Sequence, residues 1–406
     1  MPQREPRAPV PRYPRLVIRP ADRIALVRCL TALVGCTDPD GAGWAPPPPE
    51  RVDLWLALPV LAEGHGVAAL VAAPLAGLPP APAAGALADA AARTAARGRR
   101  LWDDRSAIAR ALEDAAIPFA WLKGAWLADH LYQPPEARPA ADLDLLVPGA
   151  ALARSDGALR GLGYELAERT WRHRTYLRPE NRRVVDARGE HPENPRPVEL
   201  HLRLVESFRG LSLDLTEGLH LAGPASQPET ALGLLHLAAH ATVDALSRRL
   251  RLIQLVDLAR LAARSAPEDW DRVERLAGHA HGARFVWPAL DWSSRWLGAP
   301  APPRRLEALR AHCRPALQSW VDQADLDALS PFGRDVSSRP LGETLAVWPL
   351  TRAERLAVWR FILLPGRWQL AERYPRLADS AGWPLMYPRH AGYSLRRLRQ
   401  RWGQRP

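Results

Sequence analysis

The sequence predicts an α+β protein, a mixed-sheet unit over residues 100–215 flanked by N-terminal and C-terminal helical regions. Three observations carry this. Residues 118–205 break into short apolar runs at 119–122, 143–147, 175–177, 184–187 and 198–204, bounded by turn signals. Helical stretches at 124–132 and 149–162 lie between the early runs, and strand, helix, strand, helix, then several strands builds a mixed sheet. On either side, alanine and leucine recur at helical spacing.

Taken in order, residues 1–20 form a disordered tail whose positive charge has no apolar stretch behind it, unlike a secretory signal. Residues 21–99 are a helical region broken by proline loops at 46–49 and 79–82. A helix over 101–116 stops at Pro118 and delivers the chain into the first strand. The polar stretch 188–197, with three prolines, is a loop between the last two strands. Residues 216–300 are helical again, most clearly at 230–246 and 250–263, and 301–406 form a helical C-terminal region ending in a basic tail at 396–401. No internal repeat of 20 to 50 residues is present.

Composition narrows the function classes. A net charge of +11 attracts nucleotides, nucleic acid or an anionic membrane surface. The most apolar stretch, 54–78, is interrupted by Glu63, His65, prolines and glycines, which argues against membrane insertion. Cys29, Cys36 and Cys313 follow no metal-ligand spacing and point to a reducing, cytoplasmic compartment.

Of 55 basic side chains only Lys123 is a lysine, and it precedes Gly124 and the alternating pair Asp142 and Asp144. An ammonium meets phosphate oxygens as a point charge, which arginine does not reproduce. Gly124 at a helix start lets a phosphate approach backbone N–H groups at the positive end of the helix dipole. On a strand Asp142 and Asp144 share one face, and two carboxylates so close call for a cation, Mg²⁺ above all. A third acid is expected on a neighbouring strand; Glu199 fits, with His201 on its face and Asp186 as a substitute. Arg138 lies within reach of a phosphate. His236 and His240 stand one helical turn apart without the adjacent glutamate of a zinc protease, and read as helix-core or supporting histidines. Asp257 and Arg251 are read as a pair in the helical region.

The segments 122–127, 138–147, 159–164, 198–201, 234–240 and 252–260, in that order and spacing, resemble the uncharacterised nucleotidyltransferase family of the DNA polymerase β-like superfamily. The resemblance covers roughly residues 100–300, and the tail at 363–387 more loosely. It implies transfer of a nucleoside monophosphate from a nucleoside triphosphate to an acceptor hydroxyl, with release of pyrophosphate. Asp142, Asp144 and Glu199 then inherit the role of binding two Mg²⁺ ions. Lys123, Gly124, Ala125 and Arg138 are assigned to the nucleotide. Gly124-Ala125 stands where the superfamily has Gly-Ser or Gly-Gly, and Glu199 where aspartate is usual. The acceptor reads as a small molecule or peptide in preference to an RNA end. The competing readings are a catalytically silent nucleotide-binding module and an RNA-modifying toxin of a toxin and antitoxin pair.

Overall fold

Leu143 and Leu145 are fully buried while Asp144 between them points the other way, and this alternation sets the central strand of the protein. The computed structural model describes residues 18–35, 45–170, 172–181, 194, 196–218, 221, 228–333, 347–366, 370, 374 and 383–402. The chain begins with α1 (Pro20–Val34), α2 (Val52–Gly64), the short α3 (Ala68–Val71) and the long α4 (Ala81–Asp114). It then enters β1 (Ala120–Trp121), α5 (Lys123–Leu131), β2 (Leu143–Leu146) and α6 (Leu152–Gly161). Next come β3 (Glu165–Arg169), β4 (His173–Leu177) and β5 (Val198–His201).

These five strands form one mixed sheet in the order β1-β2-β5-β4-β3. β2 and β5 run parallel, with Asp144 opposite Glu199, and every other neighbour is antiparallel. Val198 and Leu200 join Leu143 and Leu145 on the core face, so Asp144, Glu199 and His201 share the other face. A separate hairpin, β6 (Val205–Phe208) and β7 (Leu211–Asp214), follows β5 and turns through Arg209 and Gly210, both at positive φ.

Helices α7 (Thr230–Leu246) and α8 (Leu252–Ala262) pack on each other, α7 also against β6 and α8 against α5. At Gly233 of α7 a Cβ would lie 2.4 Å from the Trp126 ring, so only glycine permits that approach to α5. Further helices follow, among them α9 (Pro267–Ala277) and α10 (Ala280–Leu297), and α10 packs on both α7 and α8. Among the described residues no helix is long and apolar enough to cross a membrane.

Three sequence expectations need correction. The helix expected at 101–116 is the last part of α4, which runs unbroken across Arg99 and Arg100; no proline stands between Pro82 in its first turn and Pro118 beyond its end to stop it. Asp142 is not on the strand but just before it. β3 and the β6–β7 hairpin were not foreseen as strands: β3 is an exposed edge strand of mostly polar residues, without the apolar alternation that marks a half-buried strand. The strand expected at 184–187 and most of the loop expected at 188–197 lie outside the described residues, as do Asp186, Cys36 and residues 1–17 of the tail.

Candidate active site

The turn from β1 into α5 passes through Lys123 at φ 42°, a left-handed conformation that costs a non-glycine residue about 1–3 kcal/mol. It sets the Lys123 ammonium against β2, where Nζ donates to Asp144 Oδ1 at 2.9 Å. His201 Nε2, from the neighbouring β5, meets the same oxygen at 2.8 Å. Burial opposes ionisation of Asp144, yet Lys123 and His201 overcome it and hold its carboxyl below the ordinary range. Burial alone would lower the Lys123 ammonium; Asp144, Glu206, Asp142 and Glu199 together raise it. His201 behaves likewise, desolvated but raised by its contacts with Asp144 and Glu199. Glu199 is pressed upward by burial and drawn down on balance by the His201 imidazole beside it, with Lys123 and His173 adding to that.

Asp142 is treated differently. It has no hydrogen-bond or ion-pair partner among the described residues, and burial first, then Asp144 and Glu199, raises its carboxyl. A half-buried carboxylate beside two others, with no side-chain cation in contact, fits a hard divalent ion with oxygen ligands.

The acidic face opens on a cavity of about 340 Å³ lined by Lys123, His173, Glu199, His201, Glu206 and His240, with Arg172 and Arg249 among its basic residues. His240, read as a helix-core or supporting histidine, lines it. Sequence reasoning missed His173 and Glu206. Glu206 is buried on β6, with Oε1 3.1 Å from His240 Nδ1 and 3.3 Å from His236 Nε2. Burial works against its charge, but His240, His236 and Lys123 hold its carboxyl well below the ordinary range. His240 is desolvated yet raised by Glu206 and Asp244, whereas burial leaves His236 lowered. The signal for Glu206 was the Arg209-Gly210 turn between two alternating runs.

Arg138 and Gly124 have different surroundings from those expected. Arg138 donates to Asp257 through Nη2 at 2.7 Å and Nε at 3.3 Å, and the Tyr132 hydroxyl donates to the same carboxylate at 2.6 Å. Its guanidinium is committed to α8 and not to the cavity, so Asp257 is engaged by Arg138 and Tyr132. A Cβ on Gly124 would lie 2.3 Å from Arg138 Nη1, so the glycine is required by that packing. Ala125 is fully buried in the core.

Comparison with known families places the chain among the nucleotidyltransferases, an enzyme class. The family model of uncharacterised nucleotidyltransferases matches residues 53–298, and the chain belongs to that family. The match begins in α2, well before the first of the motifs around Lys123. No curated protein and no solved structure matches the chain.

Proposed function

We propose that this enzyme moves a nucleoside monophosphate from a nucleoside triphosphate to an acceptor hydroxyl and releases pyrophosphate, on a polymerase β-like core at residues 100–215. The observation that carries the reading is the register of β2 and β5, which sets Asp144 beside Glu199 with the unpartnered Asp142 next to them. Those three carboxylates would hold two Mg²⁺ ions. When bound, the ions supply charge stabilisation at the triphosphate and at the acceptor oxygen.

The chain's own residues do the rest. Lys123 turns its ammonium from Asp144 toward phosphate charge. Glu206 at Nδ1 and Asp244, 3.6 Å from Nε2, hold the His240 ring from both sides, which positions it to take the proton of the acceptor hydroxyl. The cavity suits a small molecule or a peptide end better than a folded RNA, and its basic residues favour an anionic acceptor. Cys29 and Cys313, both buried as free thiols, are in keeping with a cytoplasmic setting.

The test is calorimetry with Mg²⁺ and each of the four nucleoside triphosphates, comparing wild type with Asp144→Ala. Binding that prefers one base and is lost in the variant supports the transferase reading and sets the donor for an acceptor screen. A folded protein that binds none of the four is a silent scaffold.

A further inference from the structure

β4 and β5 pair antiparallel with His173 directly opposite His201, and Glu199 lies two residues before His201 on the same face. One ligand atom from each of these three residues lies within 4.8 Å of the other two. His173 Nε2 is 3.8 Å and His201 Nε2 3.7 Å from Glu199 Oε2. Both gaps exceed a hydrogen bond. They approach the spacing of ligands around one ion, since bonds of about 2.0–2.2 Å at tetrahedral angles set neighbours roughly 3.3–3.6 Å apart. His173 is otherwise uncommitted: its buried Nδ1 has no hydrogen-bond partner among the described residues. All three side chains line the cavity, so an ion has a path in and positions open to a further ligand.

The donor set decides the kind of ion. Mg²⁺ takes oxygen ligands and keeps several waters, whereas imidazole suits zinc, copper, iron and nickel, and Mn²⁺ accepts a mixed set through its carboxylate. We infer that His173, Glu199 and His201 form a binding site for a divalent transition ion with imidazole nitrogen in its coordination shell, chemically distinct from the oxygen-only position at Asp142 and Asp144. Glu199 belongs to both sets, so an ion held with the histidines takes the place of one of the two Mg²⁺ ions and leaves the other to the two aspartates. Binding takes the lone pair of His201 Nε2. The proton that nitrogen shares with Asp144 Oδ1 leaves to solvent, and Asp144 keeps Lys123. The inference rests on the β4–β5 register and not on the transfer reaction.

Mn²⁺ alone is the probe. The full chain, stripped of metal with a chelator, is titrated with Mn²⁺ while the free-ion electron paramagnetic resonance signal is followed, and the bound ion is examined by pulsed spectroscopy for nitrogen-14 modulation. One bound ion per chain with nitrogen modulation is expected to remain when a tenfold excess of Mg²⁺ fills the oxygen-only position. His173→Gln and His201→Gln each weaken that ion on the order of tenfold or more and reduce the modulation. Asp142→Asn leaves the nitrogen signal intact. A bound ion without nitrogen modulation, or no bound ion, overturns the inference, and the wild-type spectrum decides this without any variant having to fold. If Mn²⁺ shows no nitrogen while triphosphate binding still needs Asp144, the inference fails and the proposed function stands. Nitrogen modulation in a protein that binds no triphosphate has the opposite meaning.

Discussion

Two buried cation–carboxylate pairs meet the first residues of α5, and they differ in how much of their bonding capacity is used. Arg138 and Asp257 form a closed unit, with two N–H donors and the Tyr132 hydroxyl on one carboxylate, Arg138 9% and Asp257 1% exposed. Lys123 and Asp144 are as close, but Lys123 is 17% exposed on a cavity and Asp142 beside it has no partner. A saturated pair has little left to offer a ligand and fixes helix against helix. An unsaturated one next to unpaired charge is where chemistry is expected.

The largest test of that contrast is Asp144→Ala, which should lower nucleotide transfer on the order of a thousandfold, since metal-held charge stabilisation contributes several kcal/mol. Transfer measured with a labelled triphosphate checks it, with circular dichroism to show that the variant folds. Asp257→Ala should act on stability instead. It leaves Arg138 charged and buried without its partner, a loss of about 3–5 kcal/mol in chemical denaturation, while triphosphate affinity of the folded fraction stays close to wild type. If nucleotide affinity falls as far as stability, Arg138 belongs to the site after all.

Gly124→Ala probes the seam between the pairs. Its methyl must displace Arg138 or Ala140, at a cost of about 1–3 kcal/mol in thermal or denaturant unfolding. The smallest effect is on pH. The folded Asp142 carboxyl is raised above its unfolded value, so its contribution favours the fold at low pH and is lost as pH rises through the raised value. Metal-free protein should therefore lose stability through this group across that range, and Asp142→Asn should remove the loss. Identical pH profiles for the two proteins would place Asp142 in ordinary solvent.

Local pattern made some of this legible. The helix at 230–246 was read to its end residues, and the strand at 143–147 to within one, because apolar periodicity alone marks them. Asp144, Glu199 and His201 were read as sharing a face, because β-strand alternation is fixed by the backbone. His173 was missed because its place opposite His201 is a matter of strand pairing, which no single segment reveals. The Arg138–Asp257 pair spans 119 positions and was hidden for the same reason. Glu206 escaped because the apolar run read at 198–204 stops one residue short of its strand.

α4 runs for 34 residues, about 50 Å at 1.5 Å per residue, and packs on α2 and α3 as well as on α6. Three residues after its last turn the chain reaches Pro118, and Lys123 follows five residues later. The helix thus joins the N-terminal helices at one end to the turn that sets Lys123 against Asp144 at the other. Cutting the chain at residue 100 would divide one continuous helix and part the N-terminal helices from the segment that delivers Lys123.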